Sequence, residues 1–422
     1  MSVGAIAAPR SAARRRGPQK QRVTLPIALL GIAAVILLIA LTRVITGAED
    51  LASSGTLAAA IGLAMPIGMA GLGGLWAERA GVVNIGLEGM MILGTWGAGF
   101  CGYQWGPWAG VLGAVAMGAI GGLIHAVATV GFGVDHIVSG VAINIIGLGV
   151  AQYLAALTFT GVPGGGPTQS PPIGDLPSIT VPGVSSAAAD VEAYDWFFVS
   201  DLAGVVRAFT AGLSLLTVIA VGLVVLTWWV LWRTSFGLRL RSCGESPSAA
   251  ESLGVNVYKY KYIAVVVSGG FAGLGGAFLA IVASSVYRDG QTGGRGYIGL
   301  AAMIFGNWRP GGLLLGAGLF GYTDALQLRS GGDSVHALLL LVGIGLLGLA
   351  GWQLRGARRL AGLVTAAMAI ALLVWFLTTE EVPQDFSSMT PYVVTLLVLA
   401  LASQRLRMPA ADGLPYRRGQ GS

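Results

Sequence analysis

AGVVNIGLEGMMILG, residues 80–94, is apolar enough to lie in a membrane, yet it carries an amide at Asn84 and a carboxylate at Glu88. A charged group at that depth is costly, and marks either a functional position or a hydrogen-bonded tie between helices. If the membrane boundary falls near Gly81, a rise of ~1.5 Å per residue puts Glu88 roughly 10 Å into a ~30 Å core. Asn84 and Glu88 are four residues apart and would share one face of a continuous helix. No arginine is expected deep in a neighbouring span, so Glu88 must face a wet cavity, accept hydrogen bonds or hold a proton. Helix packing, lining of a substrate path and proton relay are all open to it.

The rest of the chain supports the membrane reading. Of 422 residues, 55% are hydrophobic and only 10% charged, and the mean hydropathy is +0.75. A soluble domain carries about 25% charged residues. The 67 glycines suit closely packed transmembrane helices. The expected fold class is an all-α integral membrane protein, a polytopic bundle of about 10–12 transmembrane helices with broken or re-entrant segments. The net charge of +6 reflects basic residues in short segments between apolar runs, which is a topology signal rather than a nucleic-acid footprint. Cys101 and Cys243 form no CxxC or disulfide framework, and His125, His136 and His336 are too scattered for a metal site.

Apolar runs at 23–45, 53–75, 82–101, 108–130, 137–158, 204–232, 262–284, 335–353, 359–378 and 390–404 are candidate spans, with a broken region at 297–328. A basic arm, 1–22, with Arg14, Arg15, Arg16, Lys20 and Arg22, is expected to be cytoplasmic and to be followed by a span rather than a cleavable signal. Successive crossings then place 159–203 outside; that loop has no Lys or Arg and holds Asp175, Asp190, Glu192, Asp195 and Asp201. One more crossing returns to a basic loop, 233–261. The scheme leaves Arg43, Arg207, Arg288, Arg295 and Arg329 outside and every other base inside; between Arg79 and Arg207 parity alone places the spans. The domains expected are the arm, a permease-like membrane domain over 23–353, an extra C-terminal transmembrane pair over 354–404 and a cytoplasmic tail, 405–422. A faint repeat is present: AGLGG occurs at 70–74 and 272–276, and IGLEGMMILG (85–94) is echoed by IGLAAMIFG (298–306). The two AGLGG spans would run in opposite directions, as in inverted-repeat transporters.

Further segments carry chemistry. In 244–255, GESPSAAESLGV, Ser246 reads as an N-cap, Pro247 as the first helical residue and Gly254 as the residue closing a short polar helix. In 294–312, GRGYIGLAAMIFGNWRPGG, glycines bracket a short apolar run that NWRP breaks, and broken helices are frequent substrate sites in transporters. Phe305 and Asn307 stand at that break. In DHIVSGVAIN, 135–144, Asp135 and His136 open a span, while Ser139 and Asn144 can line a polar path. Glu78 and Arg79 read as an interfacial pair ending a span. No GxxxxGK[ST] occurs, and no Ser or Cys has an evident base and orienter, so neither ATP hydrolysis nor covalent chemistry is expected of this chain.

ERAGVVNIGLEGMMILG, DHIVSGVAINIIGLGV, GESPSAAESLGVNVYKYKYIAVVVSGGFAGLGGAFL and GRGYIGLAAMIFGNWRPGG, in this order over roughly 53–350, resemble bacterial ABC importer permeases of the branched-chain amino acid and simple-sugar superfamily. Within it they look most like the nucleoside-type second permease subunit. The resemblance implies a bacterial cell membrane location, a second homologous permease, two cytoplasmic ABC ATPase subunits (or one fused tandem ATPase) and an extracytoplasmic substrate-binding lipoprotein that delivers a small-molecule substrate. It implies no cofactor and no nucleic acid. Gly244, Glu245, Ser246, Pro247, Ala249, Ala250 and Gly254 then match the coupling helix that docks on the ATPase, and Asn84, Gly86, Glu88 and Gly89 match the motif in the membrane core. The expected substrate path comprises Asn84, Glu88, Ser139, Asn144, Phe305 and Asn307. Where the family commonly has Gln, this chain has His136. A ribose-like sugar permease is the alternative within the family. Outside it stand an ion-coupled secondary transporter titrating Glu88, and a membrane enzyme built on Asp324, Arg329, Asp333 and His336, which read more plainly as residues around an outer loop.

Overall fold

A computed structural model of the protein describes residues 25–356, 359–383 and 406–419, with isolated positions at 386, 389, 390 and 393. The basic arm, 1–22, and nearly all of the span expected at 390–404 lie outside the described residues. The fold is all-α apart from one two-residue ladder. The helices are α1 (Leu25–Thr46), α2 (Ser54–Arg79), α3 (Leu87–Trp105), α4 (Pro107–Ala126), α5 (His136–Phe159), α6 (Val184–Ala193), α7 (Val199–Thr210), α8 (Leu215–Arg233), α9 (Ser235–Glu245), α10 (Pro247–Ser252), α11 (Val257–Ala277), α12 (Arg295–Phe305), α13 (Pro310–Arg355) and α14 (Arg359–Thr378). A π-helical turn extends α4 to Gly131 and another extends α11 to Ala283. Among the described residues, 7 helical stretches are long and apolar enough to cross a membrane.

Two of these, α2 and α11, form the centre: 67% and 78% of their most apolar windows are buried, against 17% for α14. They carry the AGLGG segments and pack antiparallel, Gly73 against Ser268 and Gly275 against Pro66. The close approach depends on absent side chains. A Cβ on Gly94 would lie 2.5 Å from the Cα of Gly273, so α3 presses backbone against backbone on α11. After α2 the chain breaks and starts α3; after α11 it breaks and starts α12. Both new helices begin in the interior: Leu87 lies against Gly73 and Gly74, and Gly299, in the second turn of α12, lies against Ile67 and Gly71, midway along α2. The faint sequence repeat thus corresponds to an inverted pair of helix-break-helix units.

Several expected boundaries shift. Residues 82–86 are not helical, although a span over 82–101 was expected: Gly81 (φ +81°) ends α2, and the Asn84 side chain accepts from the Gly86 amide in a local turn. Asn84 and Glu88 therefore do not share a helix face. The span expected at 204–232 divides in two. Gly212 (φ +63°) turns the chain, Ser178–Ile179 pairs with Leu213–Ser214, and Ser214 caps α8 by accepting from the Leu216 amide. α7 is a separate amphipathic helix whose buried face includes Asp201 and Ala208. The outer loop expected around 329–334 is absent: α13 runs 46 residues without interruption. A glycine inside a helix costs only about 1 kcal/mol, which packing overrides; here Gly332 presses against the Val382 carbonyl. The break expected at NWRP is present, with Asn307 and Trp308 both at positive φ and Pro310 opening α13.

Candidate substrate pathway and coupling surface

The N-termini of α3 and α12 meet at Glu88. Its Oε1 accepts from the Gly294 amide at 3.0 Å and its Oε2 from the Gly296 amide at 2.7 Å. The first amides of a helix have no partner within it and carry the positive end of the helix dipole, so a carboxylate there is doubly favoured. Gly296 makes the contact possible, since a Cβ on it would lie 2.6 Å from the Glu88 Cα. Among the described residues no Lys or Arg pairs with Glu88. Of the three outcomes open to it, accepting hydrogen bonds is the one the structure displays, and it ties α3 to α12.

A polar seam continues from this point. Asn144 Oδ1 accepts from the Gly89 amide at 2.8 Å, satisfying an orphan donor in the first turn of α3, while its Nδ2 donates to the Ile85 carbonyl and to the Tyr297 hydroxyl. Asn84 Nδ2 donates to Ser268 Oγ at 2.9 Å. Ser139 Oγ lies 2.8 Å from His125 Nδ1, and His125 Nε2 lies 3.1 Å from the Val83 carbonyl. His136 Nδ1 accepts from the Val83 amide. The broken backbone at 80–86 thus has its polar groups met by side chains of α4, α5 and α11, which is the condition for irregular backbone inside a membrane protein.

Asn84, Glu88, Ser139 and Asn144 are brought together along this seam. Phe305 and Asn307 are not: they stand at the other end of α12, about 16 Å away by helical rise. Phe305 packs on Phe320, and Asn307 Oδ1 accepts from the Arg407 amide. His125, Ser268 and Tyr297 belong to the seam and were missed from sequence. The available signal was their polarity within apolar runs, strongest for His125. Asp324, Arg329 and His336 disperse into separate contacts, with Arg295, with Gly55 and with the Phe376 carbonyl, and form no cluster.

The coupling residues lie at the end of the bundle where α2 finishes. Gly244 and Glu245 close α9, a helix absent from the expectation; Pro247, Ala249 and Ala250 belong to α10, which starts at Pro247 as expected. Ser246 occupies the cap position, but its side chain makes no capping bond. Gly254 (φ +80°) closes the short helix. Gly244 packs directly on the Arg79 carbonyl, and Glu245 lies 4.0 Å from Arg79. Arg79 also donates to the Trp308 carbonyl, and Trp308 Nε1 donates to Glu78, so that pair binds the α12–α13 turn rather than each other. Cys243, Ala250 and Val257 form a small buried cluster, and burial pushes the Cys243 thiol up to about 11. Leu253, by contrast, is 85% exposed in an otherwise polar segment.

A central inverted pair of broken helices is an architecture that many membrane transport proteins share. Residues 56–350 match the branched-chain amino acid transport system / permease component family, and the chain belongs to that family. It is a transport subunit. Among relatives, it is 33% identical to the guanosine ABC transporter permease protein NupQ of Bacillus subtilis, over 85% of this chain and 94% of that protein. It is 31% identical to the nucleoside ABC transporter permease protein NupC of Lactococcus lactis, over 83% and 93%. It is 35% identical to a putative glucose ABC transporter permease protein, TsgC13 of Haloferax volcanii, over 66% and 78%. No solved structure matches it significantly.

Proposed function

We propose that the chain is the permease subunit of an ATP-driven importer of nucleosides. The observation that carries this reading is the likeness to NupQ along 94% of that relative's length, a protein named for guanosine. ATP is hydrolysed by two separate ATPase subunits, or one tandem subunit, docking on α10. A second homologous permease completes the channel, and an extracytoplasmic lipoprotein delivers substrate. α10 then faces the cytoplasm, as does the N-terminus.

Within this reading the seam of Asn84, Glu88, Ser139 and Asn144 borders the path, and Phe305 and Asn307 are left out of it. Separating the N-terminus of α12 from Glu88 would expose two amides and a carboxylate, groups suited to the hydroxyl and base edges of a nucleoside. The likeness to TsgC13 favours a second reading, a sugar substrate. The two are told apart by ATP hydrolysis of the assembled complex: guanosine stimulates it and glucose does not. Stimulation by glucose alone would replace the nucleoside reading with the sugar one.

A further inference from the structure

Residues 406–419 lie beyond the family match, which ends at 350, and outside every expected span. They nevertheless contact five separate elements at the α9–α10 end of the bundle. The Arg407 amide donates to Asn307 in the α12–α13 turn at 2.8 Å. The Ala411 amide donates to the Gly244 carbonyl of α9 at 2.9 Å, and the Ala410 amide to the Glu245 carboxylate at 3.3 Å. Tyr416 packs against Tyr258 of α11 with the rings tilted by 55° and their centroids 5.4 Å apart, and lies over the Cys243, Ala250 and Val257 cluster. Arg418 pairs with Glu251 of α10 at 3.2 Å. Asp412 is 7% exposed and buried beside Glu78 of α2 and Lys261 of α11, with neither carboxyl oxygen accepting a hydrogen bond from the described residues.

The same segment touches the broken backbone of the seam. The Ala411 carbonyl lies 3.2 Å from where a Cβ on Gly81 would stand, and Val83 Cγ2 lies 3.3 Å from the equivalent point on Gly413. Val83 is the residue whose carbonyl and amide hold His125 and His136. One short stretch of chain therefore spans from α10 to the backbone next to Asn84.

We propose that residues 406–419 form a strap that transmits movement of α10 to the break at 80–86, with Tyr416 as its positioning residue. The strap rests on the reading of α10 as the ATPase-docking helix. It is distinct from the direct contact of Gly244 with Arg79, which needs no tail. If α10 is pushed or pulled, Glu251, Gly244 and Glu245 draw the strap, and Gly413 and Ala411 carry the displacement to Val83 and Gly81. Without the strap α10 still binds its partner, but the seam is no longer driven.

Cys243 is a built-in reporter, since Tyr416 packs on its cluster and Cys101 is the only other thiol. In a Cys101→Ala background, Tyr416→Ala and a chain lacking residues 406–422 are compared with the unaltered tail, in membranes and within the full complex. Maleimide labelling of Cys243 is expected to accelerate at least about tenfold in both variants, because thiol reactivity follows exposure. Uptake per ATP hydrolysed is expected to fall at least about tenfold, while co-purifying ATPase stays within about twofold, a loss of coupling rather than of assembly. Unchanged labelling overturns the strap's seating. Changed labelling with unchanged uptake, or ATPase lost in proportion to uptake, overturns its transmitting role. Absence of ATP-driven uptake in the unaltered complex would sink the importer reading and the transmission with it, and Cys243 protection would still show whether the tail is seated.

Discussion

At the scale of the residue, Glu88 explains itself through two backbone amides rather than through a counter-ion. Charge-assisted hydrogen bonds of this kind contribute about 1.5–3 kcal/mol each, and removing the acceptor leaves both donors buried. Glu88→Gln keeps one acceptor oxygen and turns an NH2 toward the second amide; Glu88→Leu removes both. Thermal unfolding of the purified chain should therefore show Leu more destabilising than Gln, by about 1–3 kcal/mol. Equal stability of the two would contradict the capping role. Gly296→Ala is expected to be as damaging as Glu88→Leu, because its Cβ meets the α3 backbone, which cannot give way as a side chain could. The sequence showed that Glu88 was polar, deep and without a cation. It could not show the partner, because a helix N-terminus 206 residues further on offers backbone amides and no side-chain signal.

At the scale of the element, what periodicity and turn chemistry encode was readable and what long-range packing decides was not. Pro247 and Gly254 bracket α10 as their residue types demand. The interruption at NWRP was equally legible. α13 was not, since glycine and serine within QLRSGGDS look like a loop until Val382 packs on Gly332. The break at 80–86 was hidden because its residues are apolar and its polar groups are met by side chains far away in sequence. Capping the end of α10, Leu253 is apolar, 85% exposed and next to the closing glycine. Leu253→Asp should cut the ATPase recovered with the chain at least about tenfold while leaving membrane insertion intact, as loss of a hot-spot contact does. Unchanged recovery would move the docking surface elsewhere.

The strap carries a pH dependence of its own. Burial holds the Asp412 carboxyl up to about 7; Glu78 and Arg79 face it from α2 and Lys261 from α11, and the two cations oppose the shift. A released tail has an ordinary carboxyl near ~3.9, so the seated state binds the proton more tightly. Seating is strongest below the released value and weakens as pH rises through about 7. Proteolysis of the tail should therefore be several-fold faster at pH ~7.5 than at ~5.5, and the dependence should shrink in Asp412→Asn. A dependence of unchanged size in Asp412→Asn would assign it to another group.

At the scale of the whole molecule, composition identified an all-α membrane protein and four ordered motifs identified the family, because both are properties of local sequence. The inverted pairing of α2–α3 with α11–α12 was visible only as a faint AGLGG echo, since it rests on glycines whose contacts are backbone to backbone. Residues 1–22 and nearly all of 390–404 stand outside the described structure, so of the C-terminal pair expected over 354–404 only α14 is described. On the proposed function, this chain moves nucleosides only when an ATPase acts on α10. The most direct test is uptake of labelled guanosine into proteoliposomes containing the chain, its second permease and the ATPase, with the lipoprotein present, compared with the chain alone. Uptake should require ATP hydrolysis and the complete complex. Guanosine uptake by the chain alone, driven by an ion gradient without ATP, would contradict that reading.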